Sequence, residues 1–105
     1  MPHMTLESIR PYSVPSSLDA LRGPATGTIR VAPPIDTSLN PVYDLTNPDR
    51  IWSLYSATVR EGITVEQESI LNKSILLQYW PTLNLPIRCR QTWEKAFPEL
   101  RTFHA

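Results

Sequence analysis

The sequence is poor in the residues that build reactive centres. It has one cysteine, Cys89, so neither an intramolecular disulfide nor a multi-cysteine zinc site can form. Its two histidines, His3 and His104, stand at opposite ends, which speaks against a catalytic zinc, whose protein ligands are most often His and Cys. Glycine is scarce: Gly23, Gly27 and Gly62. The segment Gly23-Pro24-Ala25-Thr26-Gly27-Thr28 has the outline of a nucleotide loop. It lacks the Gly-Lys-Ser/Thr ending whose lysine reaches the phosphates, and it reads as a turn entering a strand. An excess of one charge is also missing, with ten Lys and Arg against ten Asp and Glu. A neutral chain has no general attraction for phosphate backbones or anionic lipid, so a nucleic-acid binder would need a local patch. No apolar run approaches the roughly 20 residues of a membrane span. The opening residues Met1 to Met4 carry no signal-peptide core, and a cytoplasmic location is the simplest expectation.

What is abundant is proline, and it is lopsided. Eight of the eleven prolines fall in residues 1–48, and seven of the nine aromatics fall after them. A chain of 105 residues is near the commonest size for one domain. The composition boundary therefore divides one domain into a turn-rich front and a packed back. The expected organisation is a flexible Pro-rich arm over 1–15, a single small domain over 16–100, and a tail over 101–105. Within the domain, 16–48 is the turn and hairpin part and 49–100 the helical part.

In order, Ser16 or Ser17 caps a short helix carrying Leu18 and Leu21, stopped by Gly23-Pro24. One or two turns cannot stand alone, since helix nucleation is costly, so this element must dock on the domain or on another chain. Thr26 to Ala32 alternates as a strand, and Val42 to Leu45 is its return. Asn47-Pro48 starts a helix as cap and first residue. At about 100° per residue, Ile51, Trp52, Leu54, Tyr55, Thr58 and Val59 form its apolar arc, with Ser53, Ser56, Ala57 and Arg60 opposite. Gly62 stops it. Thr64 with Gln67 resembles a capping box for a helix to Leu71. Asn72 caps the next, which Pro81 ends at Trp80. Pro86 opens the last helix, with Cys89, Thr92, Trp93, Ala96 and Phe97 inward. Leu100 and Phe103 tuck back from the tail. The expected fold is mainly α, four to five short helices with one small β-hairpin.

No constellation declares a chemistry. Cys89 lies on an apolar arc with no histidine nearby and reads as core filler. Glu66 and Glu68 are two apart and point to different sides of a helix. Residues 64–71 and 73–80 form a helix pair, but their join is shorter than a helix-turn-helix uses, and the second helix is too apolar to read a groove. The best electrostatic feature is the basic set Arg88, Arg90, Lys95 and Arg101. It reads either as a solvated face, with Arg90 pairing Glu94, or as a contact for an acidic partner or RNA phosphate. Ile87 sits on the polar side of that helix, where it covers the Trp80-Pro81 turn or faces a partner. Trp52 and Trp93 fall on apolar arcs and are expected in the core.

Two stretches are familiar together. The first is Val42-Tyr43-Asp44-Leu45-Thr46-Asn47-Pro48-Asp49-Arg50, with Leu54-Tyr55 and Val59-Arg60-Glu61-Gly62. The second is Tyr79-Trp80-Pro81, Leu85-Pro86, Arg88, Trp93-Glu94 and Phe97-Pro98-Glu99-Leu100. The pair resembles small actinobacterial proteins encoded beside nucleotidyltransferase toxins of the abortive-infection type. The resemblance spans roughly residues 42–100 and carries no catalytic signature. It implies a non-enzymatic antitoxin that needs no cofactor and neutralises its partner enzyme by direct contact. On that expectation the arm and first helix, Tyr12, Val14, Leu18, Leu21 and Arg22, touch the toxin, joined by Ile87 and Arg88. The reading from a different class is a small nucleic-acid-binding regulator using Arg88, Arg90, Lys95 and Arg101.

Overall fold

Asparagine supplies the two firmest punctuation marks. Asn47 caps the longest helix, its side-chain oxygen accepting from the Asp49 and Arg50 amides, with Pro48 next in line. Asn72 accepts from the Ile75 amide in the same way. A computed structural model describes residues 12–102; the expectations for residues 1–11 and 103–105 lie outside the described residues. The chain is mainly α with one antiparallel hairpin. A 3₁₀ turn at Leu18–Ala20 precedes β1 (Thr28–Arg30) and β2 (Val42–Asp44). Helices α1 (Pro48–Glu61), α2 (Thr64–Ile70) and α3 (Lys73–Tyr79) follow. A second 3₁₀ turn at Trp80–Thr82 leads to α4 (Ile87–Ala96) and α5 (Glu99–Thr102).

The hairpin pairs Thr28 with Asp44, Ile29 with Tyr43 and Arg30 with Val42. A two-stranded ribbon is marginal by itself, and this one leans on α1. The Arg50 guanidinium lies 4.1 Å from the centre of the Tyr43 ring and donates to the Val42 carbonyl at 3.0 Å. The Tyr43 hydroxyl donates to Asp36 at 2.5 Å, tying the intervening loop to the strand. Desolvation, with Asp36 adding to it, pushes the Tyr43 hydroxyl up to about 12, so it stays a donor.

The core is built by α1 and the aromatic back end. Leu54, Tyr55 and Val59 from α1 meet Leu71, Leu76, Trp80, Cys89, Trp93 and Leu100, all fully buried. Trp80 and Trp93 stand 5.8 Å apart, and Phe97 meets Trp93 edge-on at 6.0 Å. Polar ties lock the helices in register. The Asn72 amide donates to the Tyr55 hydroxyl at 2.9 Å, and Arg60 donates to the Asn84 carbonyl at 2.8 Å.

Several details differ from expectation. Trp52 is 37% exposed, because its indole N–H reaches the Thr82 carbonyl at the rim of the core, 2.7 Å away. Ser56, expected outward, is buried and accepts from the Asn84 amide at 3.0 Å. Thr92 is half-buried and Ala96 exposed, so the inward stripe of α4 is narrower than its arc. The α2 capping interaction sits one residue earlier than expected, with Glu66 accepting from the Ile63 amide at 2.9 Å. Gln67 is instead buried, donating to the Ser13 and Gly62 carbonyls. Pro81 does not force Trp80 out of helical geometry (φ −48°, ψ −47°); the chain tightens into 3₁₀ and ends at Thr82. Leu100 does tuck back, but from a further helical turn rather than a tail.

Candidate interaction surface

The first short helix is expected to dock on the domain or on another chain, and the structure lays the front segment on its own α2 and α3. Leu18 and Leu21 are buried in the core cluster, and Tyr12 and Val14 are half-buried against it. A short 3₁₀ turn and its C-cap, carrying one leucine each, must bury them somewhere, and both join the cluster that holds Ile70 and Leu71. Leu18 and Leu21 are therefore corrected from partner contacts to core residues. Residues 12–15, expected at the end of a flexible arm, are bonded to α2. The Ser13 carbonyl accepts from Gln67 at 3.0 Å, and the Val14 carbonyl accepts from the Thr64 hydroxyl at 2.8 Å.

This strap, residues 12–23, is clasped by one carboxylate. Glu68 accepts from the Ser16 amide at 2.8 Å and from the Ser16 hydroxyl at 2.7 Å. The Ser16 amide first, then its hydroxyl, holds the Glu68 carboxyl below its usual range. Arg22 adds a long 3.8 Å ion pair to Glu68, which at an exposed site contributes little. Its amide contributes more by donating to the Glu68 carbonyl at 2.8 Å. Lys73 donates to Asp19 at 2.7 Å, and the Gly23 amide donates to the Leu71 carbonyl at 2.8 Å.

Where strap and α2 meet, two aliphatic side chains face solvent. Ile63 is 56% and Val65 66% exposed. They flank Thr64, whose hydroxyl donates to the Val14 carbonyl. Ile63 occupies the N-cap of α2 with extended backbone (φ −91°, ψ 169°) and no side-chain cap bond. Sequence reasoning missed both residues. A signal was available for Val65: at about 100° per residue it stands about 140° from Ile70 and about 160° from Gln67, opposite the buried side of α2.

The other expected contacts, Ile87 and Arg88, fall on α4. Ile87 is 67% exposed. Arg88, Gln91, Thr92 and Lys95 line an open groove of about 200 Å³. The Thr92 hydroxyl donates to the Arg88 carbonyl at 2.7 Å. Arg90 does not belong to this surface. It lies over the Trp80 ring at 5.1 Å and donates to the Trp80 and Leu83 carbonyls at 3.0 and 2.7 Å, closing the turn before α4. The Trp80 indole in turn donates to Glu94 at 2.9 Å. Arg101 lies on α5. The basic set of four is thus divided among a groove, an internal tie and a separate helix.

Cys89 is buried, and burial pushes its thiol up to about 12; it sits 3.8 Å from the Val59 carbonyl as a small hydrophobe. Among the described residues no group of His, Cys, Asp and Glu is placed to hold a metal ion, and no helix is long and apolar enough to cross a membrane. Set against known proteins, the chain matches no family model, no curated protein and no solved structure.

Proposed function

We propose that this chain is a non-enzymatic antitoxin that neutralises a nucleotidyltransferase-like toxin by direct contact. The resemblance in residues 42–100 supplies the partner's class. The observation that carries the contact is the identity of Ile63. An N-cap strongly favours Ser, Thr, Asp or Asn, and Ile is among the poorest choices there. Ile63 leaves a capping bond unmade, exposes more than half its surface, and is followed two residues on by the exposed Val65. A chain that forgoes local stability to show apolar side chains gains by covering them against another surface.

Co-expression with a nucleotidyltransferase toxin of the abortive-infection type, sought in the neighbouring reading frame, tests the reading. The wild-type chain rescues growth and co-elutes with the toxin. The double variant Ile63→Asn, Val65→Asp loses both while keeping or raising its own stability. Asn at the cap contributes about 0.5–2 kcal/mol, and Asp in the first turn suits the helix dipole. Absence of rescue and of co-elution by the wild type sinks the proposal.

A further inference from the structure

We propose that the connection from α1 to α2, residues 61–65, is a docking ridge for a cationic, leucine-bearing segment of a protein partner, with Glu61 as the charge that selects it. This deepens the contact reading above and rests on it only in taking Ile63 and Val65 as the apolar part of a protein contact. Exposure alternates along these five residues: Glu61, Ile63 and Val65 are exposed, Gly62 is buried and Thr64 half-buried. The inward residues are tied down. The Gly62 amide donates to the Thr58 carbonyl at 2.9 Å, its carbonyl accepts from the buried Gln67 at 3.0 Å, and the Thr64 hydroxyl donates to the Val14 carbonyl. A Cβ on residue 62 would lie 2.7 Å from the Thr58 carbonyl oxygen, so the connection is pressed against α1. The ridge is formed before any partner arrives, which spares the ordering cost of binding. With about 3.8 Å between successive Cα atoms, its three outward residues lie within about 15 Å of chain.

Charge accounting picks the occupant. Asp19, Asp36, Asp44, Glu66, Glu68 and Glu94 all accept hydrogen bonds within the chain, and Asp49 stands in the first turn of α1, where the helix dipole favours it. The Glu61 carboxylate makes no hydrogen bond or ion pair among the described residues. Its neighbour Arg60 is turned to the Asn84 carbonyl at 2.8 Å. An unpaired carboxylate in line with two exposed aliphatics matches a segment that brings a Lys or Arg next to leucine. The same carboxylate repels a phosphodiester strand and an anionic lipid surface, so neither fits the ridge. An exposed ion pair contributes little affinity on its own. Glu61 therefore selects among partners, while the aliphatics supply the burial.

The test titrates the full ¹⁵N-labelled chain with three short peptides in which leucine alternates with arginine, with glutamine or with glutamate. The expected result is that the arginine peptide shifts amides across residues 61–65 and binds most tightly. Glu61→Lys then weakens it at least about tenfold and makes the glutamate peptide the preferred one, at an unchanged thermal midpoint. Should that variant fail to fold, Glu61→Gln decides, by abolishing the preference for arginine over glutamine. Shifts that map elsewhere, or an order of preference that Glu61→Lys leaves unchanged, overturn the proposal. Sedimentation of the chain alone covers the remaining occupant: self-association that Glu61→Lys abolishes overturns the proposal in favour of a second copy. A toxin that co-elutes equally with the wild type and with Glu61→Lys sinks this proposal and leaves the antitoxin reading standing. An arginine peptide seated on the ridge of a chain unable to bind the toxin does the reverse.

Discussion

A methyl group at position 23 has nowhere to go. A Cβ there would lie 2.0 Å from the Ile70 carbonyl oxygen and 2.7 Å from that of Leu71, backbone atoms that cannot swing aside. Gly23→Ala must lift the strap off α2, and overpacking of this kind costs typically about 1–3 kcal/mol. Urea unfolding is expected to read a loss in that range or larger. Gly27 differs in kind. Its surroundings are open, but its φ of +88° disfavours a side chain. Nothing in the sequence distinguished these glycines from each other, because the crowding at Gly23 comes from a segment nearly fifty residues away. Trp52 teaches the same lesson. Its place on the apolar arc of α1 was legible, but which edge of the arc is covered depends on where the Trp80–Thr82 turn passes. Cys89 is the opposite case, since its arc predicted burial and the fold places it in the dry interior. With its thiol pushed up to about 12, the native chain is expected to leave a thiol-reactive dye untouched at mildly alkaline pH and to react once denatured. Fast reaction of the folded protein would show that Cys89 is open to solvent.

Elements with their own start and stop signals were legible. Asn47-Pro48 and Asn72 fix their helices by local hydrogen bonds that need no tertiary partner. Ser17 likewise caps the first short turn, accepting from the Ala20 amide at 3.1 Å. The strap was legible only as something that had to dock. Its surface was hidden because its anchors, Ser16 with Glu68 and Val14 with Thr64, lie about fifty residues apart in the chain. That clasp has a pH signature. The Glu68 carboxyl is lowered in the folded chain from an ordinary value of 4.5, so ionisation favours the folded state. Its contribution is complete above the ordinary value and is lost as pH falls through the lower folded value. Asp19, lowered by Lys73, acts in the same direction. As pH falls below the ordinary carboxyl value of 4.5, the wild type is therefore expected to lose more stability than Glu68→Gln, and their urea midpoints should converge in acid. Parallel curves would remove Glu68 from the clasp.

For the molecule as a whole, the fold class followed from helical periodicity and one alternating pair of short strands. Of the arm expected over residues 1–15, the structure describes residues 12–15, and these are bonded to α2. Leu18 and Leu21, in the element expected to dock on the domain or on another chain, join the same buried cluster as Trp80, Trp93 and Leu100, so the strap belongs to the cooperative unit. Burying a leucine contributes about 1.5–3 kcal/mol, and two of them are a large share of the about 5–15 kcal/mol by which a domain is stable. Leu18→Ala is thus expected to cost about 2–5 kcal/mol. The same loss should appear in tryptophan fluorescence, whose most buried reporters Trp80 and Trp93 lie in the back half, and in far-ultraviolet circular dichroism of the helices. Coincident shifts of both midpoints are the sign of a single transition. A strap that unfolded separately would leave the tryptophan midpoint where it was, because Leu18 would then contribute nothing to the state those indoles report. The distinction bears on the proposed function: a strap inseparable from the core holds Tyr12 and Val14 against that core in one fixed pose. A partner then meets a surface already formed and does not have to order that stretch of chain as it binds.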